Sequence, residues 1–391
     1  MRARLPCVLG LAAVLAAAGA ARAAPACDLE AAGAAAQACD LAALDRRLRL
    51  NDLQAIGSHN SYKRAIPPDE LAAHRARDPR GADALDYAHP PLAEQLRRGL
   101  RTLELDVFHD PEGGRYLHPP GAHRRGYPAP PWPGADLARM RRPGFKVMHL
   151  ADIDFRSRCV ALQACLRELR DWSRAHPRHA PVLVLINAKD GPGGPGAVAP
   201  PPFDAAAFDA LDVEIRAVFG RDHLIEPDDV QGAYPTLRDA VRAGRWPTLG
   251  EARGQVLFAL DEEPRKVALY RGARRSLEGR AMFVNTDEAS PAAAYLTLND
   301  PVGQRARIAR AVAAGFLVRT RADADTFEAR AGDMRRRDAA FSGGAQFVST
   351  DYPWPDPRRG AYRVEFPAGG YLRCNPARPA CRAPGHETSA K

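Results

Sequence analysis

Two carboxylates, Glu104 and Asp106, lie two residues apart within the apolar stretch 103–107. Side chains alternate between the two faces of a β-strand, so both acids would share one face and the apolar residues the other. Two buried like charges are costly unless something positive compensates them, and a divalent cation with oxygen ligands such as Ca²⁺ does so. The spacing therefore predicts a metal site. The alternative is an edge strand with both acids in water.

Two histidines follow other apolar runs of the chain. His59 follows the run 53–57, and His149 follows the run 145–148. Histidine titrates near neutrality and suits both the base and the acid of a phosphodiester cleavage. A neighbouring cation would lower the pKa of the attacking hydroxyl and offset charge on the phosphorane oxygens. A single histidine is more often structural, but two beside a metal-type acid pair predict metal-assisted phosphodiester chemistry.

Short apolar runs separated by helical segments are the elements that would position these side chains. Strands alternating with helices predict a parallel sheet, and eight such units predict an α/β fold of the (β/α)8 TIM-barrel type, with its active site at the carboxyl ends of the strands. The glycine- and proline-rich segments 110–144 and 191–202 follow predicted strands, so we expect a distorted barrel with long loops at that face. The predicted strands are 53–56, 102–107, 145–148, 182–186, 255–260, 281–284, 315–318 and 346–348, and the predicted helices are 92–100, 161–175, 208–219, 304–314 and 324–341.

The first residues have the pattern of an export signal. Arg2 and Arg4 precede the Ala-rich apolar run 9–21, and small residues follow at a cleavage point, which predicts a signal peptide over residues 1–23. The apolar run is too short to span a bilayer comfortably. We therefore expect a secreted or periplasmic protein. The residues before Cys27 form a poor lipoprotein signal, so no lipid anchor is expected there.

The rest of the chain divides into three predicted parts. An Ala-rich helical extension covers residues 24–50, one barrel domain covers 51–366, and a cysteine-clipped tail covers 367–391. Six cysteines remain after the signal, and an even number in an oxidising compartment predicts disulfides. Sequential pairing is the simplest of the possible arrangements: Cys27–Cys39, Cys159–Cys165 and Cys374–Cys381.

Composition excludes some classes of protein. Hydrophobic residues make up 46% of the 391 residues, which excludes a wholly disordered chain. The formal charge is +9, and the excess is mostly arginine interleaved with acids. This pattern indicates a solvated surface or, as the alternative, transient attraction to an anionic membrane. No basic run is dense enough to indicate a nucleic acid partner, and we expect a monomer.

Three segments resemble, in order, the opening motifs of the X-domain of the phosphatidylinositol-specific phospholipase C family, calcium-dependent branch. They are Gln54–Tyr62 (QAIGSHNSY), Leu103–Asp106 (LELD) and Val147–His149 (VMH). The resemblance implies a barrel, a bound Ca²⁺ and a cyclic inositol phosphate intermediate. It also implies a catalytic pair, His59 and His149, and three metal ligands, Asn60, Glu104 and Asp106.

At other positions this chain differs from the family pattern or matches it less specifically. Eukaryotic members carry a further Glu ligand late in the fourth strand, where this chain has Asn187, whose amide oxygen adds no charge. Water or Asp190 is an alternative ligand there. Lys189 is similar in place to phosphate-binding lysines of the wider superfamily, with a surface lysine as the alternative. Arg321 is a candidate for phosphate contact and Asp351 for orienting a histidine, and each is equally consistent with a loop ion pair.

Two other functions compete with a calcium-dependent phosphodiesterase of phosphatidylinositol or a related inositol phosphodiester. A glycerophosphodiester phosphodiesterase shares the barrel and the Glu-x-Asp strand, but its first motif is usually His-Arg-Gly, whereas this chain has His59-Asn60-Ser61. A non-catalytic barrel that binds a headgroup would usually have lost a histidine or an acid. The sequence leaves open which lipid or soluble diester is cleaved.

Overall fold

The computed structural model describes residues 27–123, 131–192 and 197–381, in which short strands alternate with helices. Most of the strands are buried over most of their length, as expected of parallel strands that are covered on both faces. The strands are β1 (Leu53–Ser58), β2 (Thr102–Asp110), β3 (Gly144–Val147), β4 (Val182–Ala188), β5 (Val256–Leu260), β6 (Met282–Val284), β7 (Tyr295–Thr297), β8 (Leu317–Arg321), β9 (Phe347–Thr350) and β10 (Leu372–Cys374).

Eight of these strands form a nearly closed parallel barrel. Around the sheet their order is β6-β5-β4-β2-β1-β9-β8-β7, and the neighbours along it pair in parallel. A single parallel bridge between Asn285 and Tyr295 joins the two ends. The predicted (β/α)8 barrel of TIM type is confirmed.

One predicted strand is not part of the barrel, and one barrel strand was not predicted. The run 145–148 is β3, which pairs antiparallel with the outer half of β2, from Val107 opposite Val147 to Asp110 opposite Gly144. β2 is nine residues long and extends beyond its pairing with β4, so β3 runs back along this extension. The missing barrel strand is the three-residue β7. An apolar run carries no information on the direction of its partner, which explains the error.

Helices connect the strands and cover the barrel. Four of the five predicted helices match α5, α8, α9 and α14, whereas the predicted helix 324–341 is two helices, separated where Gly332 adopts a left-handed conformation (φ 64°). The helices are α1 (Gly33–Ala38), α2 (Leu41–Arg47), α3 (Pro68–Arg75), α4 (Pro79–Ala84), α5 (Leu92–Arg97), α6 (Pro120–His123), α7 (Gly134–Arg141), α8 (Leu162–Ala175), α9 (Ala205–Phe219), α10 (Pro227–Gln231), α11 (Leu237–Arg242), α12 (Leu249–Ala252), α13 (Pro264–Arg271), α14 (Arg305–Ala313), α15 (Phe327–Ala331) and α16 (Arg335–Ser342).

Both ends of the described chain pack against the amino-terminal end of the barrel. In the extension, Leu29 and Leu48 are buried in one apolar cluster with Leu53 of β1. In the tail, β10 pairs antiparallel with residues 53–55 of β1. The predicted signal peptide lies outside the described residues. In the part of the chain that is described, no helix is both long and apolar enough to cross a membrane.

The six cysteines of the described chain form three disulfides. Each bridge closes a short loop, of 12, 6 and 7 residues' separation respectively. The sequential pairing is confirmed: Cys27–Cys39, Cys159–Cys165 and Cys374–Cys381.

The pairing of β1 with β2 depends on a glycine. Gly57 opposite Thr102 is the one residue pair of this ladder, and a Cβ at position 57 would lie 2.1 Å from the Thr102 carbonyl oxygen. Because backbone cannot move aside as a side chain does, we expect Gly57→Ala to lower the free energy of unfolding by about 3 kcal/mol, measured by urea denaturation. Gly191→Ala is the control, since a Cβ there meets nothing within 4 Å. Equal urea midpoints for the two variants would contradict the close approach at Gly57.

Candidate active site

Polar side chains from several strands meet inside one end of the barrel. A guanidinium nitrogen of Arg319, on β8, donates a hydrogen bond to Glu104 Oε2, on β2. Two other strands, β1 and β9, separate β2 and β8 in the sheet, so this contact crosses the interior. Glu104 and Asp106 are both buried, as is Arg319. The two acids therefore point into the barrel, as their spacing predicts.

His59 follows β1 directly and is held by groups on both of its ring nitrogens. Nδ1 lies 2.7 Å from Oδ1 of Asp351, which follows β9, and this carboxylate favours the tautomer with its proton on Nδ1. Nε2 lies 3.4 Å from an Arg321 guanidinium nitrogen and 3.6 Å from Glu104 Oε1. The imidazole thus presents Nε2 to the barrel mouth.

The surroundings of His59 favour its neutral form. Burial, followed by the positive charge of Arg321, lowers the pKa of His59 well below its usual value, although Glu104 opposes this shift. The charge of His149 also contributes to lowering the pKa, so the two imidazoles lie within electrostatic reach of each other. A neutral imidazole that carries its proton on Nδ1 is able to accept a second proton on Nε2.

His149 reaches the same mouth by a different route from the one predicted. It follows β3, and because β3 runs back along the extension of β2, its carboxyl end arrives beside the barrel. Nδ1 of His149 lies 2.9 Å from Asp154 Oδ2, and the buried ammonium of Lys63 lies 2.8 Å from Asp154 Oδ1. Burial alone would raise the pKa of Asp154, but Lys63 and His149 outweigh it and lower that pKa. An anionic Asp154 is the partner that a protonated imidazole needs.

Two amides stand beside the acid pair. Asn187, at the end of β4, donates from Nδ2 to Glu104 Oε1 at 3.1 Å. Asn60 has a left-handed backbone (φ 47°), which asparagine tolerates better than most residues. Its Nδ2 donates to the Tyr87 hydroxyl at 2.8 Å, and its Oδ1 accepts a hydrogen bond from the Tyr62 hydroxyl at 3.2 Å.

Two cations of the chain already contact the acid pair. Arg319 holds Glu104, and its guanidinium also donates to Ser349 Oγ at 3.0 Å and to Asn299 Oδ1 at 2.7 Å. Lys189 Nζ lies 3.0 Å from Asp106 Oδ2. Asp106 is buried, and within the described residues Lys189 is its counter-ion.

The donor set fits a calcium ion. Two carboxylates, Glu104 and Asp106, and two amide oxygens, of Asn60 and Asn187, are the hard oxygen ligands that Ca²⁺ prefers. The donor set itself carries this fit: Glu104 and Asp106 are two buried carboxylates on one face of β2, and the Asn187 amide lies 3.1 Å from Glu104. No group of three or more His, Cys, Asp or Glu side chains among the described residues has the arrangement of a metal site. The amide oxygens of Asn60 and Asn187 are therefore needed to complete a Ca²⁺ ligand set. Asp190 instead faces Lys266, 2.7 Å away.

The two candidates from the carboxyl-terminal part of the barrel, Arg321 and Asp351, contact each other and His59. Arg321 Nη2 lies 3.1 Å from Asp351 Oδ2, while Asp351 Oδ1 holds the histidine. Behind them, Asp323 Oδ1 accepts a hydrogen bond from the Asp351 backbone N–H at 2.8 Å. Burial, and then the charge of Asp351, raise the pKa of Asp323 to about 7. Arg321 stands at the mouth beside Nε2 of His59.

Sequence reasoning missed three residues that hold this site together, namely Arg319, Lys63 and Asp154. Arg319 is two residues from Arg321 on one strand, so the alternation that placed Glu104 beside Asp106 would also have placed Arg319 on the inner face. No local pattern in the sequence indicates that Lys63 and Asp154 form a pair, because they are 91 residues apart.

A polar cleft adjoins the candidate site: of the described candidate residues, Asn187, Lys189 and Asp190 line it, whereas the acid pair and the two histidines do not. It has a volume of about 790 Å³ and extends from Asn187 and Lys189 past Asp261 to Asn285 and Arg307. Such a volume lies in the range of small-molecule sites.

Comparison with known proteins agrees with this geometry. A solved calcium-dependent phosphoinositol-specific phospholipase C from a Pseudomonas species is similar at a TM-score of 0.52 and 15% identity, over 84% of this chain and 96% of that chain. A Ca²⁺-dependent phosphatidylinositol-specific phospholipase C from Streptomyces antibioticus has a TM-score of 0.46 and 20% identity, over 78% of this chain and 95% of that one. At 15% identity, the likeness to the Pseudomonas structure shows the barrel fold. No match was found among curated proteins.

The family match is more specific than the structural likeness. The family model described as phosphoinositide phospholipase C, Ca²⁺-dependent, matches residues 48–376. This range covers most of the chain, including the barrel and every candidate side chain of the mouth. The chain therefore belongs to the Ca²⁺-dependent phosphoinositide phospholipase C family and is a phosphodiesterase.

Proposed function

We propose that this phosphodiesterase cleaves phosphatidylinositol, or a related inositol phosphodiester, by acid–base catalysis on His59 and His149. One observation carries the proposal: each imidazole is fixed through Nδ1 by its own carboxylate, Asp351 or Asp154, so that Nε2 is the ring nitrogen directed away from that carboxylate. Such a pair is able to take a proton on one side of a phosphate and to give one on the other.

The two environments support different roles for the two histidines. His59 is neutral and begins as the base, removing the proton from the headgroup hydroxyl next to the phosphate as that oxygen attacks phosphorus. His149, beside the anionic Asp154, begins as the acid and protonates the departing oxygen of the lipid alcohol. The O–P bond that forms and the P–O bond that breaks belong to one phosphate, so the product is a cyclic inositol phosphate.

Positive charge surrounds the place where the phosphate would lie. Arg321 stands 3.4 Å from Nε2 of His59 and would meet a phosphoryl oxygen there. When bound to Asn60, Glu104, Asp106 and Asn187, Ca²⁺ supplies charge that lowers the pKa of the attacking hydroxyl and offsets the negative charge of the phosphoryl oxygens. Lys189, on the rim of the polar cleft, would contact the same headgroup phosphate.

The surroundings of the site suit a lipid substrate outside the cytoplasm. Leu150 follows His149 directly and is 41% exposed, so an apolar side chain stands at the mouth where a lipid surface would lie. The three disulfides require an oxidising compartment, which supports the predicted export. We propose transient contact with an anionic membrane by a monomer of the protein.

Product analysis by phosphorus NMR tests the reaction. We expect phosphatidylinositol in mixed micelles to give the signal of a five-membered cyclic phosphodiester before any phosphomonoester appears. Glycerophosphoinositol is assayed in parallel. If only this soluble diester were cleaved, and to glycerol phosphate, the chain would be a glycerophosphodiester phosphodiesterase. Tight headgroup binding without turnover of either substrate would instead indicate a binding barrel.

A further inference from the structure

The lysines of this protein are few, and those in the described chain are paired with acids. The sequence has five lysines among 56 basic residues. Four of them lie in the described residues, and each contacts a carboxylate: Lys63 with Asp154, Lys146 with Asp110, Lys189 with Asp106 and Lys266 with Asp190. The side chains of Lys63, Lys146 and Lys266 are at most 9% exposed, whereas that of Lys189 is 36% exposed. Lys189 is thus the described lysine that is free to move.

The two cations at the acid pair are held very differently. Arg319 is buried and donates to Ser349 and Asn299 as well as to Glu104, so its removal would leave several buried groups unpaired. Lys189 lies 3.0 Å from one oxygen of Asp106, and its side chain is 36% exposed. If Lys189 moves away from Asp106, it therefore loses one ion pair, and water in the cleft would hydrate its ammonium.

We propose that Lys189 is an internal counter-ion of Asp106 that Ca²⁺ displaces, and that the released ammonium then turns into the polar cleft to meet the anionic substrate. This inference rests on the proposed metal site. A calcium ion bound to Asp106 needs the same oxygens and repels an ammonium a few ångströms away. Arg319 stays on Glu104, so the pair keeps one fixed cation and exchanges the other. Metal binding and substrate capture are thereby coupled through one side chain.

The first test measures calcium affinity directly, without substrate. In isothermal titration with CaCl₂, we expect Lys189→Met to bind Ca²⁺ at least about tenfold more tightly than wild type. In this variant Ca²⁺ no longer competes with an ammonium for Asp106, and a positive charge this close to a carboxylate typically shifts the binding of another cation by about tenfold or more. Arg265→Met is the matched control. Arg265 is exposed, lies between the cleft residues Pro264 and Lys266 in the chain, and pairs with Glu263 and Asp190 rather than with the acid pair. The Ca²⁺ affinity of Arg265→Met should stay within about twofold of that of wild type.

The second test follows Lys189 itself. An amine-reactive reagent and peptide mass spectrometry report the labelling rate of each lysine, with the chain's terminal amine as the reference. We expect Ca²⁺ to raise the labelling of Lys189 several-fold while Lys63, Lys146 and Lys266 stay protected. An unchanged or slower rate at Lys189, or wild-type calcium affinity in Lys189→Met, would overturn the inference.

The design separates this inference from the metal site on which it rests. Asp106→Asn should abolish calcium binding if the site is correct. If Asp106→Asn loses binding but Lys189→Met behaves like wild type, the site stands and the displacement is wrong. If Asp106→Asn binds Ca²⁺ as wild type does, the site lies elsewhere, and the displacement falls with it.

Discussion

Replacing His59 or His149 by alanine is expected to lower kcat on phosphatidylinositol by about a hundredfold or more, the usual contribution of a positioned base or acid. Each imidazole is oriented by a carboxylate of its own, so loss of either leaves one proton transfer without a partner. The double variant should be little slower than the slower single variant, because a mechanism that lacks its base gains little from its acid.

The control for this prediction is His176→Ala. His176 stacks on Trp172 near the amino-terminal end of the barrel and should leave kcat unchanged. Circular dichroism first establishes that every variant is folded. Near-wild-type turnover by His149→Ala on phosphatidylinositol and glycerophosphoinositol would show that His149 is structural and that the two-histidine mechanism is wrong.

The pH profile gives a further check on His59 as the base. Burial and Arg321 lower the pKa of His59, so the neutral, proton-accepting form persists below the ordinary histidine value of about 6.5. As the pH falls, kcat/KM should therefore decline only on the acid side of that value, and a bound cation would move the limb further in the same direction. An acid limb above pH 6.5 would contradict a neutral, buried His59.

Removal of calcium is expected to abolish turnover, and added Ca²⁺ should restore it. The acid pair is the reason: Glu104 and Asp106 are two buried carboxylates on one face of β2, an oxygen-donor arrangement that a hard divalent cation fits. Asp106→Asn keeps the shape of the side chain and removes its charge. We expect it to lower activity at least about a hundredfold at a calcium concentration that saturates wild type.

Asp110→Asn is the matched control for the acid pair. Asp110 lies on the same strand, is equally buried and pairs with a lysine, Lys146, at 3.2 Å, but it stands beyond the mouth, where β3 covers β2. Its calcium requirement should match that of wild type. Full activity of the wild-type enzyme in excess chelator would show that the chain's own cations, Arg319 and Lys189, suffice for the reaction.

Much of this molecule follows from patterns local to the chain. The shared face of Glu104 and Asp106 follows from the two-residue period of a strand, which needs no partner to operate. The disulfides join cysteines that are 12 residues apart or fewer, so nearest-neighbour pairing was correct. The alternation of strands and helices was enough to predict the barrel, although β3 was assigned to it wrongly and the short β7 was missed.

The tertiary structure alone decided which charges face one another. Glu104 meets Arg319 across 215 residues, and His59 meets Asp351 across 292. Neither contact has a local signature, because each depends on the order in which the strands close around the barrel. The route of His149 is of the same kind: its apolar approach strand was visible in the sequence, but only pairing with the extended β2 turns that strand back to the mouth. Sequence by itself therefore determined the residue types and faces of the site. The closing of the barrel determined their partners, since ion pairs depend on distance in space and not along the chain.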